Sequence, residues 1–310
     1  MEYHVPIMLS EVIRGLDIKE GGVYFDGTAG GGGHSFGILS ANASVKLIAT
    51  DKDGDAVAEA EKRLAPFAGR FKIYRTDFKN FEEVFEKEGI RQIDGYLLDL
   101  GISSHQIDDE TRGFSYRNGN AALDMRMDRR AEFSAKDVVN GYPEEKIRTI
   151  LREYGEESFA ASIARNIVRK RAVKPFETCK ELEEAVEESV PAKYRFHACA
   201  RKTFQAIRIE VNGELSGLAE CVKALTLRLK PQGRGCVITF HSLEDRIVKQ
   251  AFRDLSTGCT CPKEFPVCVC GRKREIEPVG RKPLVASEKE ISENSRSKSA
   301  KLRIVEKLST

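Results

Sequence analysis

The 310-residue chain predicts an α/β fold: a parallel, doubly wound sheet interrupted by a mainly helical insert. Three observations carry this. Short β-rich runs alternate with helical segments up to Asp99, the rhythm that builds parallel sheets. The first run empties into a glycine-rich loop that leads into a helical stretch. Beyond Asp108 the rhythm stops, and strand signals return only near Gly235.

Residues 22–26 form the first expected strand and 46–51 the second, followed by a helical pattern over 56–64. Residues 71–74 give a third strand, 81–88 a helix and 94–99 a fourth strand. From 143 to about 188 the signals are helical, with Phe159, Ile163 and Ile167 at fourfold spacing. A helix over 215–229 and a turn at Pro231-Gln232-Gly233 precede a strand over 235–240, and 301–305 supplies a last strand. The stretch 259–299, rich in Cys, Pro, Ser and basic residues, reads as loop. The expected division is a discontinuous α/β domain, 1–107 with 208–310, and an insert, 108–207.

An apolar fraction of 41% and a charged fraction of 32% describe a soluble globular protein. The net charge of +3 is too small to single out nucleic acid, so only local clusters bear on partners. No stretch approaches the ~18 apolar residues of a membrane span, and the start lacks the basic-then-apolar pattern of a secretory signal. The expected setting is cytoplasmic, where the eight cysteines are reduced thiols or metal ligands.

The loop reads Asp26-Gly27-Thr28-Ala29-Gly30-Gly31-Gly32-Gly33-His34-Ser35. Four consecutive glycines exceed what a turn needs and let backbone amides approach a ligand closely. Alone, such a loop also fits a nicotinamide enzyme. The acids that follow narrow the choice. Asp51 closes the second strand 24 residues after Gly27, where a carboxylate accepts both hydroxyls of a ribose. Asp77-Phe78 offers an acid and a ring to flank an adenine, and Asp99 closes the fourth strand beside the reacting group. A pyrophosphate favours a helix N-terminus without an acid nearby. Acidic strand ends suit the cationic, phosphate-free S-adenosylmethionine better.

Further motifs extend the match: His4-Val5-Pro6-Ile7, Asp99-Leu100-Gly101-Ile102, Arg112-Gly113-Phe114-Ser115, Leu123-Asp124-Met125-Arg126, Tyr154-Gly155-Glu156-Glu157, Thr203-Phe204-Gln205-Ala206, Phe240-His241-Ser242-Leu243 and Ser299-Ala300-Lys301-Leu302. With these in order over nearly its whole length, the chain resembles the bacterial methyltransferases that modify the N4 amine of a cytidine in the decoding region of 16S rRNA. The resemblance implies a Rossmann-like class I methyltransferase sheet with an inserted helical domain for substrate recognition. It also implies cofactor contacts at Gly32, Gly33, His34, Asp51, Phe78, Asp99 and Gln106, and 16S rRNA within the small ribosomal subunit as partner. Two positions depart from the pattern: Ala198 follows His197 and Ser295 follows Asn294, each where the family carries proline.

Methyl transfer to an aromatic amine needs an acceptor for one N–H and a path for the lost proton. Asp99 is the nearest candidate; a helix-capping carboxylate is its plain alternative. Ser242 with Asp245 reads as a helix cap, and His241 beside it faces either the substrate or a structural partner. Arg126, Arg165, Arg169, Lys170, Arg171, Lys174, Arg201, Lys202 and Arg208 are the basic candidates for phosphate contacts, against the alternative of a solvated face. Phe114 or Tyr116 could stack on an extruded base or belong to the core. Cys259, Cys261, Cys268 and Cys270 are a candidate Zn²⁺ set, although C-x-C is tighter than the common C-x₂-C knuckle. Two other functions stay open: an NAD-dependent dehydrogenase, and a non-catalytic RNA-binding assembly factor on a methyltransferase scaffold. A homodimer is compatible with the sequence, which does not determine oligomeric state.

Overall fold

The computed structural model describes residues 6–115, 120–195, 199–262, 267 and 269–309. In chain order the elements are α1 (Leu9–Leu16), β1 (Val23–Asp26), α2 (Gly33–Ala41), β2 (Lys46–Asp51), α3 (Gly54–Leu64), β3 (Phe71–Arg75), α4 (Phe81–Glu88) and β4 (Ile93–Asp99). Six helices follow: α5 (Ser104–Asp108), α6 (Ala135–Gly141), α7 (Glu144–Glu153), α8 (Ala160–Arg171), α9 (Cys179–Ser189) and α10 (Arg201–Asn212). The chain then forms α11 (Leu218–Leu227), β5 (Leu229–Thr239), α12 (Ser242–Ser256), β6 (Ile276–Pro278), β7 (Leu284–Val285), α13 (Glu288–Glu293) and β8 (Lys301–Lys307). Two compact units result: Met1–Gly101 with Leu215–Thr310, and Ile102–Glu214.

The first unit is the expected α/β fold. Its sheet runs β3-β2-β1-β4-β5-β8-β6, with β7 also paired to β8. Strands β1 to β5 are parallel; β8 runs antiparallel to β5. Chain order reverses between β1 and β4, a topological switch point that opens a crevice at the strands' carboxyl ends. Asp26 sits in register with Leu97, and Asp99 with Ile238, so both acids arrive at that edge.

Successive strand residues feed opposite faces, because side chains alternate across a sheet. Tyr24, Leu47, Leu97 and Cys236 pack on one side with Leu16, Ile38 and Leu64. Phe25, Ile48, Leu98 and Val237 pack on the other with Phe81, Phe85 and Val222. Phe85 meets Phe25 edge-on at 5.3 Å. With both faces covered, the strands read as continuous apolar runs, which made them legible in sequence.

Two expectations for this unit need correction. The turn at 231–233 is instead a distortion inside β5, where Gln232 takes φ 63° and the register with β4 jumps between Ile93 and Gly95. Pro231 and Gly233 break the pairing locally without ending the strand. The stretch 259–299 is not all loop: β6, β7 and α13 lie within it, and β6 and β7 pair with β8. Neither strand exceeds three residues, too short for periodicity to register.

The second unit is helical around its own core, which includes Leu123, Met125, Ile150, Ile163, Ile167, Leu182 and Phe204. The sequence-based boundaries at 107/108 and 207/208 fall inside it. Thr178 and Glu181 form a reciprocal capping box that starts α9. Arg112 is buried at 2% exposure, and its guanidinium donates to the carbonyls of Arg126 and Met127 at 3.0 Å each. Phe114 is buried in this core, so of its two readings the structure supports core packing. Tyr116, the other stacking candidate, lies outside the described residues, as does His197. Among the described residues, no helix is long and apolar enough to cross a membrane.

Candidate active site

The glycine loop is held from beneath by Asp26. Its buried carboxylate accepts from Ser35 Oγ at 2.6 Å and from the Thr28 amide at 3.1 Å. The Gly27 amide donates to Leu97 O, the Ala29 amide to Thr50 O, and Thr50 Oγ1 to Gly27 O, each at 2.9 Å. A Cβ on Gly27 would stand 2.4 Å from Leu98 Cδ2 and 2.9 Å from Phe78 Cβ, so a larger residue would force those side chains to shift. Gly32 caps α2 at φ 77°, a left-handed conformation that glycine adopts without strain. Gly33 and His34 then open that helix.

Each acid of the series has a distinct role. Asp51 accepts from the Gly30 amide at 2.8 Å and the Asp53 amide at 2.9 Å, tying the second strand's end to the loop. Asp77 accepts from the Lys79 amide at 3.0 Å and heads a single turn that presents Phe78. The Asp99 amide donates to Thr28 Oγ1 at 2.6 Å, its Oδ2 is 3.7 Å from His34 Nδ1, and its Oδ1 is buried with no hydrogen-bond partner among the described residues.

Burial raises all three innermost carboxyls above the ordinary range: Asp26 and Asp51 to about 6, Asp99 to about 8. For Asp26 and Asp51, hydrogen bonds oppose the burial. Asp99 has no such relief and feels the charges of Asp26 and Glu244 as well. A carboxylate this costly to ionise, with an oxygen lacking a donor, is a site for a cationic ligand or a donated proton.

The helix cap at 241–245 differs from the sequence expectation by one position. His241, not Ser242, is the N-cap of α12, and Glu244, not Asp245, completes the box. Glu244 Oε2 accepts from the Phe240 amide at 3.0 Å, and His241 Nε2 lies 3.1 Å from Glu244 Oε1. Asp245 pairs instead with Arg303 at 2.8 Å. His241 thus caps α12 at the carboxyl end of β5, with its Nε2 buried and without a hydrogen-bond partner among the described residues.

Gln106 falls in the second unit, where it closes a capping box with Ser103. The basic candidates there divide by partner. Arg126 grips Asp124 with two bonds of 2.8 Å, and Arg208 grips Glu214 with two of 2.9 Å. Lys170 pairs with Glu188, Lys174 with Glu181, and Arg171 donates to Val139 O. Arg169 donates to Asn166 Oδ1 at 2.7 Å. Arg165 and Arg201 are exposed and lack a hydrogen bond or ion pair among the described residues. Arg201 and Lys202 line a cleft of about 340 Å³ with Phe159 and Tyr194, whose rings are 5.4 Å apart.

The residues 1–308 match the family model described as the MraW methylase family. The chain belongs to the MraW methylase family. Relatives of the chain carry the name ribosomal RNA small subunit methyltransferase H. The one from Lachnospira eligens is 49% identical over 312 residues, covering 99% of each chain. That from Carboxydothermus hydrogenoformans is 50% identical, covering 100% of this chain and 99% of its own. That from Clostridioides difficile is 47% identical, covering 99% of both.

Several residues that build the site were not among those the sequence singled out. Thr28 positions Asp99, Ser35 satisfies Asp26, and Glu244 adds charge beside Asp99. Thr28 alone carried a signal: a hydroxyl inside a glycine loop is idle unless something bonds to it.

Proposed function

We propose that the chain uses S-adenosylmethionine to methylate the N4 amine of a cytidine in the decoding region of 16S rRNA. The observation that carries this is the Asp99 carboxylate, with an unpartnered buried oxygen among acids at the switch point. S-adenosylmethionine suits that setting: it has no phosphate, and its sulfonium and α-amino charges offset the burial of carboxylates. When bound, it supplies a methyl group for in-line displacement by the amine, leaving a neutral thioether.

The chain's own residues supply the rest. Asp51, anchored on Gly30, has acceptor capacity left for ribose hydroxyls, and Phe78 offers a ring face for an adenine. The glycine loop lets the cofactor lie against backbone, since Gly30 carries no side chain and has open space where one would stand. The Asp99 side chain keeps 24% exposure although Oδ1 is buried, so its accessible oxygen, Oδ2, accepts an N–H of the cytosine amine and then takes the released proton. Ligand-free, that carboxyl is pushed up to about 8; a cationic cofactor beside it favours the ionised form, which can accept the N–H and then the proton.

The names of the relatives support ribosomal RNA as substrate, and the exposed Arg165 and Arg201 of the second unit support phosphate contacts there. We infer that the substrate is RNA held within the small subunit, in the cytoplasm. The test is transfer of labelled methyl to naked 16S rRNA, to 30S particles and to DNA, with the product nucleoside identified. Label in N4-methylcytidine from 30S particles or RNA is the expected result. Binding of NAD but not S-adenosylhomocysteine, or no transfer to any RNA, would overturn the proposal.

A further inference from the structure

The segment from Cys259 to Cys270 has no part in the site above. It leaves the end of α12 and returns toward β6 through a closed base: Arg272 Nη2 donates to Asp254 O at 3.1 Å, and the Glu275 amide to Leu255 O at 2.9 Å. Among the described residues beyond that base no apolar side chain is buried; Val267 and Val269 are 70% and 73% exposed.

Three thiols converge there. The sulfurs of Cys259, Cys261 and Cys270 lie within 4.8 Å of one another, and Cys259 and Cys270 are 3.8 Å apart. Tetrahedral Zn²⁺ with Zn–S bonds of about 2.3 Å sets its thiolates about 3.8 Å apart. A disulfide would need about 2.05 Å. Two backbone amides already aim at the sulfurs: Cys261 N at Cys259 Sγ and Val269 N at Cys261 Sγ, both at 3.4 Å. Amide donors to sulfur favour thiolate over thiol and are the outer shell a metal site requires.

The buried cysteines show the contrast. Cys179 and Cys221 are buried, and burial pushes their thiols up to about 12, which suits inert core residues. The cysteines at 259, 261 and 270 reach solvent, and their sulfurs face one another.

We propose that Cys259, Cys261 and Cys270 bind one Zn²⁺ as thiolates, a structural site that cross-links the segment between α12 and β6. Each thiol releases its proton to solvent as its sulfur–metal bond forms, so no oxidant or reductant takes part. Soft thiolate donors select zinc over magnesium or calcium. Cys268 lies outside the described residues, and the proposal stands on the other three. It is independent of the methyl-transfer reading, because its primary readout is metal content.

The test uses the untagged full chain, purified with a thiol reductant and without chelator. Elemental analysis should find about one zinc per chain, and Cys261→Ser and Cys270→Ser should each lower this to about a tenth or less. Cys199→Ala, a cysteine of the other unit, should keep its zinc. To avoid reliance on variant folding, metal-stripped wild type is titrated with Co²⁺. Thiolate-to-cobalt charge-transfer absorption should grow to an endpoint of one equivalent. Wild type without zinc after incubation with an equimolar amount would overturn the proposal. So would zinc retained in both serine variants, no charge-transfer band, or a Cys259–Cys270 disulfide in protein kept anaerobic.

Discussion

His34 Nδ1 stands 3.7 Å from Asp99 Oδ2, while Nε2 of the same ring lies 2.9 Å from the Ile7 carbonyl oxygen. A carbonyl only accepts, so Nε2 donates its hydrogen there, and Nδ1 is the ring nitrogen turned toward Asp99. Asp99, pushed up to about 8 by burial and by the charges of Asp26 and Glu244, holds a proton at neutral pH in the ligand-free chain. A cationic ligand reverses the preference.

Affinity for S-adenosylmethionine should therefore rise with pH. Below about 8 the cation must displace the Asp99 proton, so binding strengthens up to about tenfold per pH unit and levels off above 8. Calorimetry from pH 6 to 9, in buffers of different ionisation enthalpy, should show proton release at pH 7. Asp99→Asn should flatten the profile; an unchanged slope in that variant would remove Asp99 from the linkage.

The stability of the ligand-free chain should move the opposite way. Asp26, Asp51 and Asp99 have folded values of about 6, 6 and 8, all above the unfolded value near 4. The folded chain therefore holds protons that the unfolded chain has lost. Their contribution is present in full below pH 4 and is lost as pH rises through 6 and then 8, at up to about 1.4 kcal/mol per pH unit for each proton. Glu181, lowered to about 2 by its Lys174 partner, acts only at the acid end. Urea midpoints should fall between pH 5 and 9, and Asp99→Asn should lose the upper part of that fall.

Asp99→Ala should lower methyl transfer by on the order of 10²- to 10⁴-fold while leaving the chain folded. Thr28→Ala should act more weakly, since it loosens the strand end by removing the acceptor for the Asp99 amide. Single-turnover rates at saturating cofactor separate the two effects. Near-normal turnover in Asp99→Ala would leave that residue only a binding role.

Gly27→Ala should destabilise the chain by about 1–3 kcal/mol, because its Cβ would press into Leu98 and Phe78. Gly30→Ala meets nothing within 4 Å and pays only for φ 50°, about 1–2 kcal/mol. The first should also weaken cofactor binding by displacing Phe78. Paired urea titrations with cofactor binding on both variants provide the check.

Charge reversal should sort the basic residues of the second unit. Arg201→Glu and Arg165→Glu should leave the fold intact, weaken RNA binding and reduce the salt slope by about one each. Arg208→Ala should instead unfold more easily, since it abandons Glu214 with 7% exposure. Filter binding from 50 to 300 mM salt, with thermal melts alongside, distinguishes contact from scaffold.

The central sheet was readable from sequence because its strands are covered on both faces, which leaves short apolar runs at 23–25, 47–49 and 96–98. The loop and the acids Asp51 and Asp99 were readable because both acids close a strand, and Asp77 because it heads the turn just after β3. Local chemistry of this kind depends on neighbours along the chain. What the sequence could not decide depends on partners distant along it. Whether Arg126 and Arg208 face RNA or carboxylates, whether His241 caps a helix, and why Asp99 resists ionisation all turn on side chains brought together by packing. Tertiary structure decides them because a charge's cost and role follow from what surrounds it after burial, and sequence order does not carry that distance.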